Sequence, residues 1–262
     1  MPPPVHASRL EKAAFDNGFD LERPTDGGWL CYGSSQCSLR IWLRVTPGGA
    51  FAGALSQQNV ANALGDVGTL LEESLPTGAA GARLVWDIPT LHRLIRRAFQ
   101  LGKTLPDELL HLFTARTATL PRTTEAERLV VQRVGQEIFR EGLLEFWEGH
   151  CAITGLAVPE LLRASHIKPW AACHTDAERL DVYNGLLLAP HLDAAFDKGF
   201  ITVADSGEVV VSATLSEPAR HLLGLGMPTS LRAAIGGHLS YLQWHRERVF
   251  KGTMPGNAFE SA

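Results

Sequence analysis

Between Cys151 and Gly199 the order of residue types admits few local folds. His166 follows a short strand, Asn184-Gly185 reads as a turn, Leu186–Leu188 is an apolar run, and Pro190 is followed by His191, Asp193 and Asp197. Proline suits the first turn of a helix, and carboxylates just after it complement the positive helix end, so a helix is expected to open there. Two short strands and a helix, a ββα turn, would bring two polar clusters face to face. Taken singly, these residues say less. A lone histidine is more often structural than catalytic, and Asp197 alone reads as a surface or capping residue.

The remainder of the 262 residues is expected to be α+β throughout, in two domains, 1–118 and 119–262. Ser8–Phe15 is helical in pattern, Gly27-Gly28 breaks it, and Trp29–Tyr32 and Ser38–Val45 read as strands. In the second strand Leu39, Ile41, Leu43 and Val45 alternate with Arg40, Trp42 and Arg44, a period of two with one face toward a core. Ala50–Leu55 follows as a strand, 65–81 as a loop and Ala82–Ile88 as a buried strand. Pro89 opens a helix with Leu91, Leu94, Ile95 and Ala98 on one face and Arg93, Arg96 and Arg97 on another. Asp107–Phe113 is a second short helix and Thr117–Pro121 a linker. Thr124 and Glu127 then form a capping box for a long helix expected to turn Leu129, Val130, Val134, Ile138 and Phe139 inward. Beyond Gly199, Phe200–Val203 and Glu208–Val211 flank Asp205-Ser206-Gly207 as a hairpin.

Net charge −4 and a pI near 6.2 exclude a chain that is basic throughout, so any nucleic-acid contact must use local Lys/Arg clusters or a bound cation. The four cysteines form no CxxC pair, which argues against a zinc ribbon or a thioredoxin-type motif and for reduced thiols. The first residues lack a signal-peptide pattern and no apolar stretch is long enough to span a membrane, so a cytoplasmic protein without membrane contact is expected.

Ser165-His166-Ile167-Lys168-Pro169, Asn184-Gly185-Leu186-Leu187-Leu188 and Pro190-His191-Leu192-Asp193-Ala194-Ala195-Phe196-Asp197-Lys198-Gly199 together resemble the HNH nucleases, whose fold is the ββα-metal unit. Flanking blocks at 133–140, 151–155 and 241–247 extend the likeness over roughly residues 120–250. The resemblance implies hydrolysis of DNA phosphodiester bonds, with His166 as general base and Asn184 bridging backbone groups or orienting the ring. His191 and Asp193 would lie near one divalent cation, Mg²⁺ or Mn²⁺, with His191 also counted among the catalytic residues. Lys168, Arg133, Gln136 and Arg140 are the expected nucleic-acid contacts, although Arg133 and Arg140 read equally as partners of Glu137 and Glu141.

The chain departs from the commonest HNH pattern in two places. Ser165 stands where many members have an Asp before the catalytic His, so another acid would have to be borrowed. Nine residues after Asn184, where a His is usual, this chain has Asp193, and His191 comes two residues earlier. The resemblance suggests a bacterial restriction or defence nuclease, and the domain layout suggests that the N-terminal domain selects double-stranded DNA by a sequence or a modified base, with a homodimer able to cut both strands. The rival readings are an HNH fold that binds nucleic acid without cutting it, and a toxin nuclease acting on DNA or RNA without sequence choice.

Overall fold

The computed structural model describes residues 4–65, 67–105, 108–121, 123–232 and 236–254. The chain divides into two compact units, 1–108 and 109–262. The first contains α1 (Pro4–Asp16), β1 (Leu21–Asp26), β2 (Trp29–Gly33), β3 (Arg40–Val45), β4 (Phe51–Leu55), α2 (Gln58–Ala63), β5 (Thr69–Leu70), β6 (Gly81–Val85) and α3 (Ile88–Thr104). Its strands form one antiparallel sheet in the order β1-β2-β3-β4-β6-β5. Asp87 caps α3 by accepting from the Thr90 amide at 2.7 Å, and Pro89 sits in the first turn. The apolar stripe read from the sequence, Leu91, Leu94, Ile95 and Ala98, is buried.

Two expectations for this unit change. Alternation along β3 predicted one solvated face, yet Trp42 is as buried as Ile41 and Leu43. Trp42 packs with Trp29, Cys31, Ala52, Ala54 and Ala82 beneath Leu71, Leu75 and Ala79, so the segment expected to be a plain loop covers the sheet's second face and contributes β5. The arginines of β3 belong to that packing: the Arg44 guanidinium lies 4.4 Å from the Trp29 ring centroid and pairs with Glu73, and Arg40 lies 5.4 Å from the Trp42 ring. On α3, Arg96 donates to Asn17 Oδ1 at 3.2 Å.

The second unit contains α4 (Glu108–Thr117, its first residue still in the first unit), α5 (Glu125–Phe146), β7 (Arg163–His166), α6 (Asp176–Leu180), β8 (Gly185–Leu188), α7 (Pro190–Asp197), β9 (Ile201–Val203), β10 (Val209–Val211), α8 (Glu217–Leu222) and α9 (Leu239–Arg248). Asp107, where α4 was expected to begin, lies outside the described residues. The division falls after the first residue of α4, whereas the sequence placed it after residue 118, because α4 packs on α5. Leu109 lies over Gly142, where a Cβ would come within 2.4 Å of its Cδ1. Thr117, expected to open a linker, is the buried last residue of α4.

The capping box of α5 is present: Thr124 Oγ1 accepts from the Glu127 amide at 3.2 Å while Glu127 accepts from the Thr124 amide at 2.9 Å. The buried stripe of α5 is shifted from the expected one. Leu129 and Val130 are exposed, and Val131, Gly135, Ile138, Phe139, Gly142, Leu143 and Phe146 are buried, because the two glycines let neighbouring elements approach where larger apolar residues were assumed. Strands β7 and β8 pair antiparallel with His166 opposite Gly185, and β9 and β10 form the expected hairpin. No helix among the described residues is long and apolar enough to cross a membrane.

Candidate active site

The β7–β8 hairpin is held between α5 and α7. Neighbouring residues of a strand point to opposite faces, so Ser165 and His166 divide between the two helices. His166 turns to α5, its ring stacked on Phe139 at 3.8 Å between centroids and 17° between planes. This closeness explains the glycine after Asn184: a Cβ on Gly185 would lie 2.5 Å from Phe139 Cζ and 2.8 Å from Leu143 Cδ1. Ser165 turns to α7, and its hydroxyl donates to Asp197 Oδ1 at 3.4 Å.

His166 Nε2 lies 2.9 Å from the carbonyl oxygen of Arg179. A carbonyl only accepts, so Nε2 carries the proton, and the neutral ring keeps its lone pair on Nδ1. Nδ1 has no hydrogen-bond partner among the described residues. Burial pushes the pKa of the ring down to about 4, the carbonyl bond opposing, so the ring is neutral at pH 7.

The fully buried Asn184 holds the segment that supplies this carbonyl. Its Oδ1 accepts from the Lys168 amide at 2.8 Å, and its Nδ2 faces Lys168 O at 3.1 Å, Glu178 O at 3.0 Å and Cys173 Sγ at 3.4 Å. Of the two roles open to Asn184, the structure has it bridging backbone groups; it makes no hydrogen bond to the His166 ring. It acts on that ring one step removed, since Arg179 adjoins Glu178. Thr175 caps α6 by accepting from the Glu178 amide at 3.1 Å, which fixes the turn ending at Arg179.

A cleft of about 480 Å³ opens beside the hairpin, lined by His166 and Ser165 from β7, Asp193 and Asp197 from α7, and Arg163 and Lys198 at the ends of those elements. Asp193 and Asp197 are four apart on α7 and so share a face. Burial and then the Asp193 charge raise the pKa of Asp197, opposed by the Ser165 hydrogen bond and the Lys198 charge. His191 is exposed and is not among the residues lining the cleft. The structure therefore brings His166 and Asp193 together and adds Asp197, which the sequence left as a surface or capping residue. The four-residue spacing within α7 was the available signal.

The expected nucleic-acid contacts fare unevenly. Lys168 is buried, with Nζ 3.0 and 3.1 Å from the Glu178 carboxylate oxygens. Arg140 donates to the carbonyls of Leu162 at 2.7 Å and Pro159 at 2.8 Å, bracing the chain before β7. Arg133 and Gln136 are exposed on α5 and are not among the cleft residues. Trp170 packs edge-on against His166 at 5.7 Å. Cys151 is a buried free thiol whose sulfur accepts from the amides of Thr154 and Ala189 at 3.4 and 3.3 Å.

Two strands and a following helix that set a neutral histidine beside carboxylates define the ββα class of nuclease centre. Residues 151–204 match the HNH endonuclease family, and this segment is an HNH endonuclease domain. No curated protein matches the chain.

Proposed function

We propose that the chain is a metal-dependent HNH endonuclease that hydrolyses DNA phosphodiester bonds at the cleft between β7 and α7. The observation that carries this is the state of His166: neutral, with its proton held on Nε2 by Arg179 O and its Nδ1 unpartnered among the described residues, in a ring that lines the same cleft as two carboxylates.

In this reading His166 Nδ1 accepts the proton of the attacking water. A pKa near 4 makes an isolated ring a weak base. An approaching phosphodiester favours the protonated ring and moves the value toward neutrality, so base strength develops as substrate arrives. Phe139 and Arg179 O leave the ring little freedom to turn, and Asn184 holds the backbone that carries that carbonyl. Asn184 is therefore a positioning residue.

A hard divalent cation suits the donors present. Asp193 and Asp197 offer carboxylate oxygens to one cleft, and their mutual repulsion is relieved by a positive charge between them. No group of three His, Cys, Asp or Glu side chains able to hold a metal occurs among the described residues, so Mg²⁺ or Mn²⁺ would complete its shell with water and phosphate oxygens. When bound, such an ion stabilises charge on the phosphate and the leaving oxygen. Asp197, hydrogen-bonded to Ser165, supplies the acid that this chain lacks at position 165, and the exposed His191 drops out of the proposed ligand pair in its favour.

Restriction or defence against foreign DNA, with residues 1–118 choosing the target, is proposed on domain layout alone, since Arg40 and Arg44 of β3 are engaged with Trp42, Trp29 and Glu73. The deciding experiment incubates supercoiled plasmid, unmodified, methylated and hydroxymethylated, with the full chain in Mg²⁺, Mn²⁺ or EDTA, beside His166→Ala. Nicking that needs metal and His166 is expected. Plasmid left intact under every condition would favour a DNA-binding protein that has lost cleavage, and degradation of RNA in parallel would favour the toxin reading.

A further inference from the structure

The cleft has a charge problem. Two carboxylates line it, and even a divalent cation only balances them, so nothing at the reaction centre itself attracts a polyanion. Most cations around it are committed elsewhere. Lys168 is bound to Glu178, Arg179 to Asp176 and the carbonyls of Trp170 and Cys173, Arg140 to two carbonyls, and Arg246 to Asp205 and Val203 O.

Two basic residues of the cleft differ. Arg163 and Lys198 line it, are exposed, and have side chains that form no hydrogen bond or ion pair with any described residue, Lys198 acting on Asp197 through its charge alone. Arg163 opens β7 with the same parity as Ser165, the residue that reaches Asp197, so its side chain leaves the hairpin on the α7 side. Lys198 directly follows Asp197 as the C-cap of α7. The carboxylates thus have a free cation on each of the two elements that form the cleft. Holding such charges unpaired beside an acidic centre is useful where an anion binds across it.

We infer that Arg163 and Lys198 are the phosphate-binding residues of the cleft, each holding a backbone phosphate of double-stranded DNA beside the scissile one, in place of the Lys168 and Arg140 that sequence pattern pointed to. The inference rests on the nuclease reading above. Phosphate contacts position the duplex without reading sequence, so their loss weakens binding alike for all targets.

Each cation that neutralises a phosphate adds about 0.9 to the slope of log affinity against log salt concentration. The test uses the full chain carrying His166→Ala, so that the duplex survives in Mg²⁺, and follows fluorescence anisotropy of a short fluorescein-labelled duplex across a KCl series. Arg163→Gln and Lys198→Gln are each expected to flatten the slope by about 0.9, and the pair together by about 1.8. Arg163→Lys should restore the slope, which separates charge from packing, and thermal melting checks that each variant is folded.

Wild-type slopes in both Gln variants would overturn the inference, as would flattening that Arg163→Lys fails to restore. Failure here remains distinct from failure of the nuclease reading. If wild type nicks plasmid in a metal-dependent manner while the variants keep the parental slope, only the phosphate assignment falls. If wild type neither nicks nor binds DNA at low salt, both fall.

Discussion

His166 and His245 are nearly the same residue in two places. Each ring stacks on a phenylalanine, Phe139 at 3.8 Å and Phe196 at 3.9 Å. Each presents Nε2 to a backbone carbonyl, Arg179 O at 2.9 Å and Phe196 O at 3.1 Å. Burial pushes each pKa down to about 4. The difference lies at the other nitrogen. His245 Nδ1 meets the Thr202 hydroxyl at 2.9 Å, and with Nε2 donating, that hydroxyl is the donor. His166 Nδ1 has no such partner among the described residues. The same burial, stacking and tautomer lock thus give a saturated strut in one place and an available base in the other, and a depressed pKa alone does not tell them apart.

The comparison breaks first at His166. His166→Ala should lower plasmid nicking by about 10²- to 10⁴-fold, the usual worth of a positioned general base, while the variant remains folded. Nicking at the wild-type rate would remove His166 from the chemistry and make the two rings equivalent.

Asn184→Ala should come next. It leaves the Lys168 amide and two carbonyls without the partners they now have in a buried place, costing about 3 kcal/mol in chemical denaturation, and it lowers nicking because the Arg179 carbonyl is no longer held. Unchanged stability would contradict the bridging role.

A third difference is in pH. A histidine whose folded pKa lies below its unfolded value leaves the unfolded chain binding more protons between the two, so stability is lost as pH falls from about 6.5 toward 4. Wild type should therefore lose about 2 kcal/mol relative to His245→Gln between pH 7 and pH 5, read by urea unfolding. Parallel pH curves would mean that His245 is not held neutral. The smallest effect should follow Thr202→Val, which strips His245 Nδ1 of its donor and costs about 1 kcal/mol with nicking unchanged. A large loss of nicking there would make the second ring part of the reaction.

What was legible in the sequence follows from how far each feature depends on distant contacts. The β9–β10 hairpin, the Pro190 helix and the capping box at Thr124 are encoded within a few residues, and the structure contains all three. His166 and Asn184 stood out because their order matched a known arrangement. Asp197 did not, since its importance comes from Ser165 on another element. Leu129 and Val130 misled because apolar character does not say which side of a helix has room, and Gly135 and Gly142 set the buried side of α5. Strand β1 went unread because it is an exposed edge with Pro24 in it and no alternation. Lys168 looked like a free charge in one dimension and Arg140 like a partner of phosphate or of Glu141, whereas their actual partners, Glu178 and two carbonyls, come from other elements.

The Asn184 bridge also makes the readiness of the site visible from the backbone. The Lys168 amide hydrogen is bound to Asn184 Oδ1, and the same side chain holds Glu178 O beside the carbonyl that fixes the His166 proton. An opening in which the Asn184 side chain swings away releases that amide to solvent, loosens the carbonyl and lets the ring exchange tautomers. Slow deuterium uptake at that one peptide group therefore reports that the Asn184 bridge is closed and the base set, in the absence of DNA, metal or turnover.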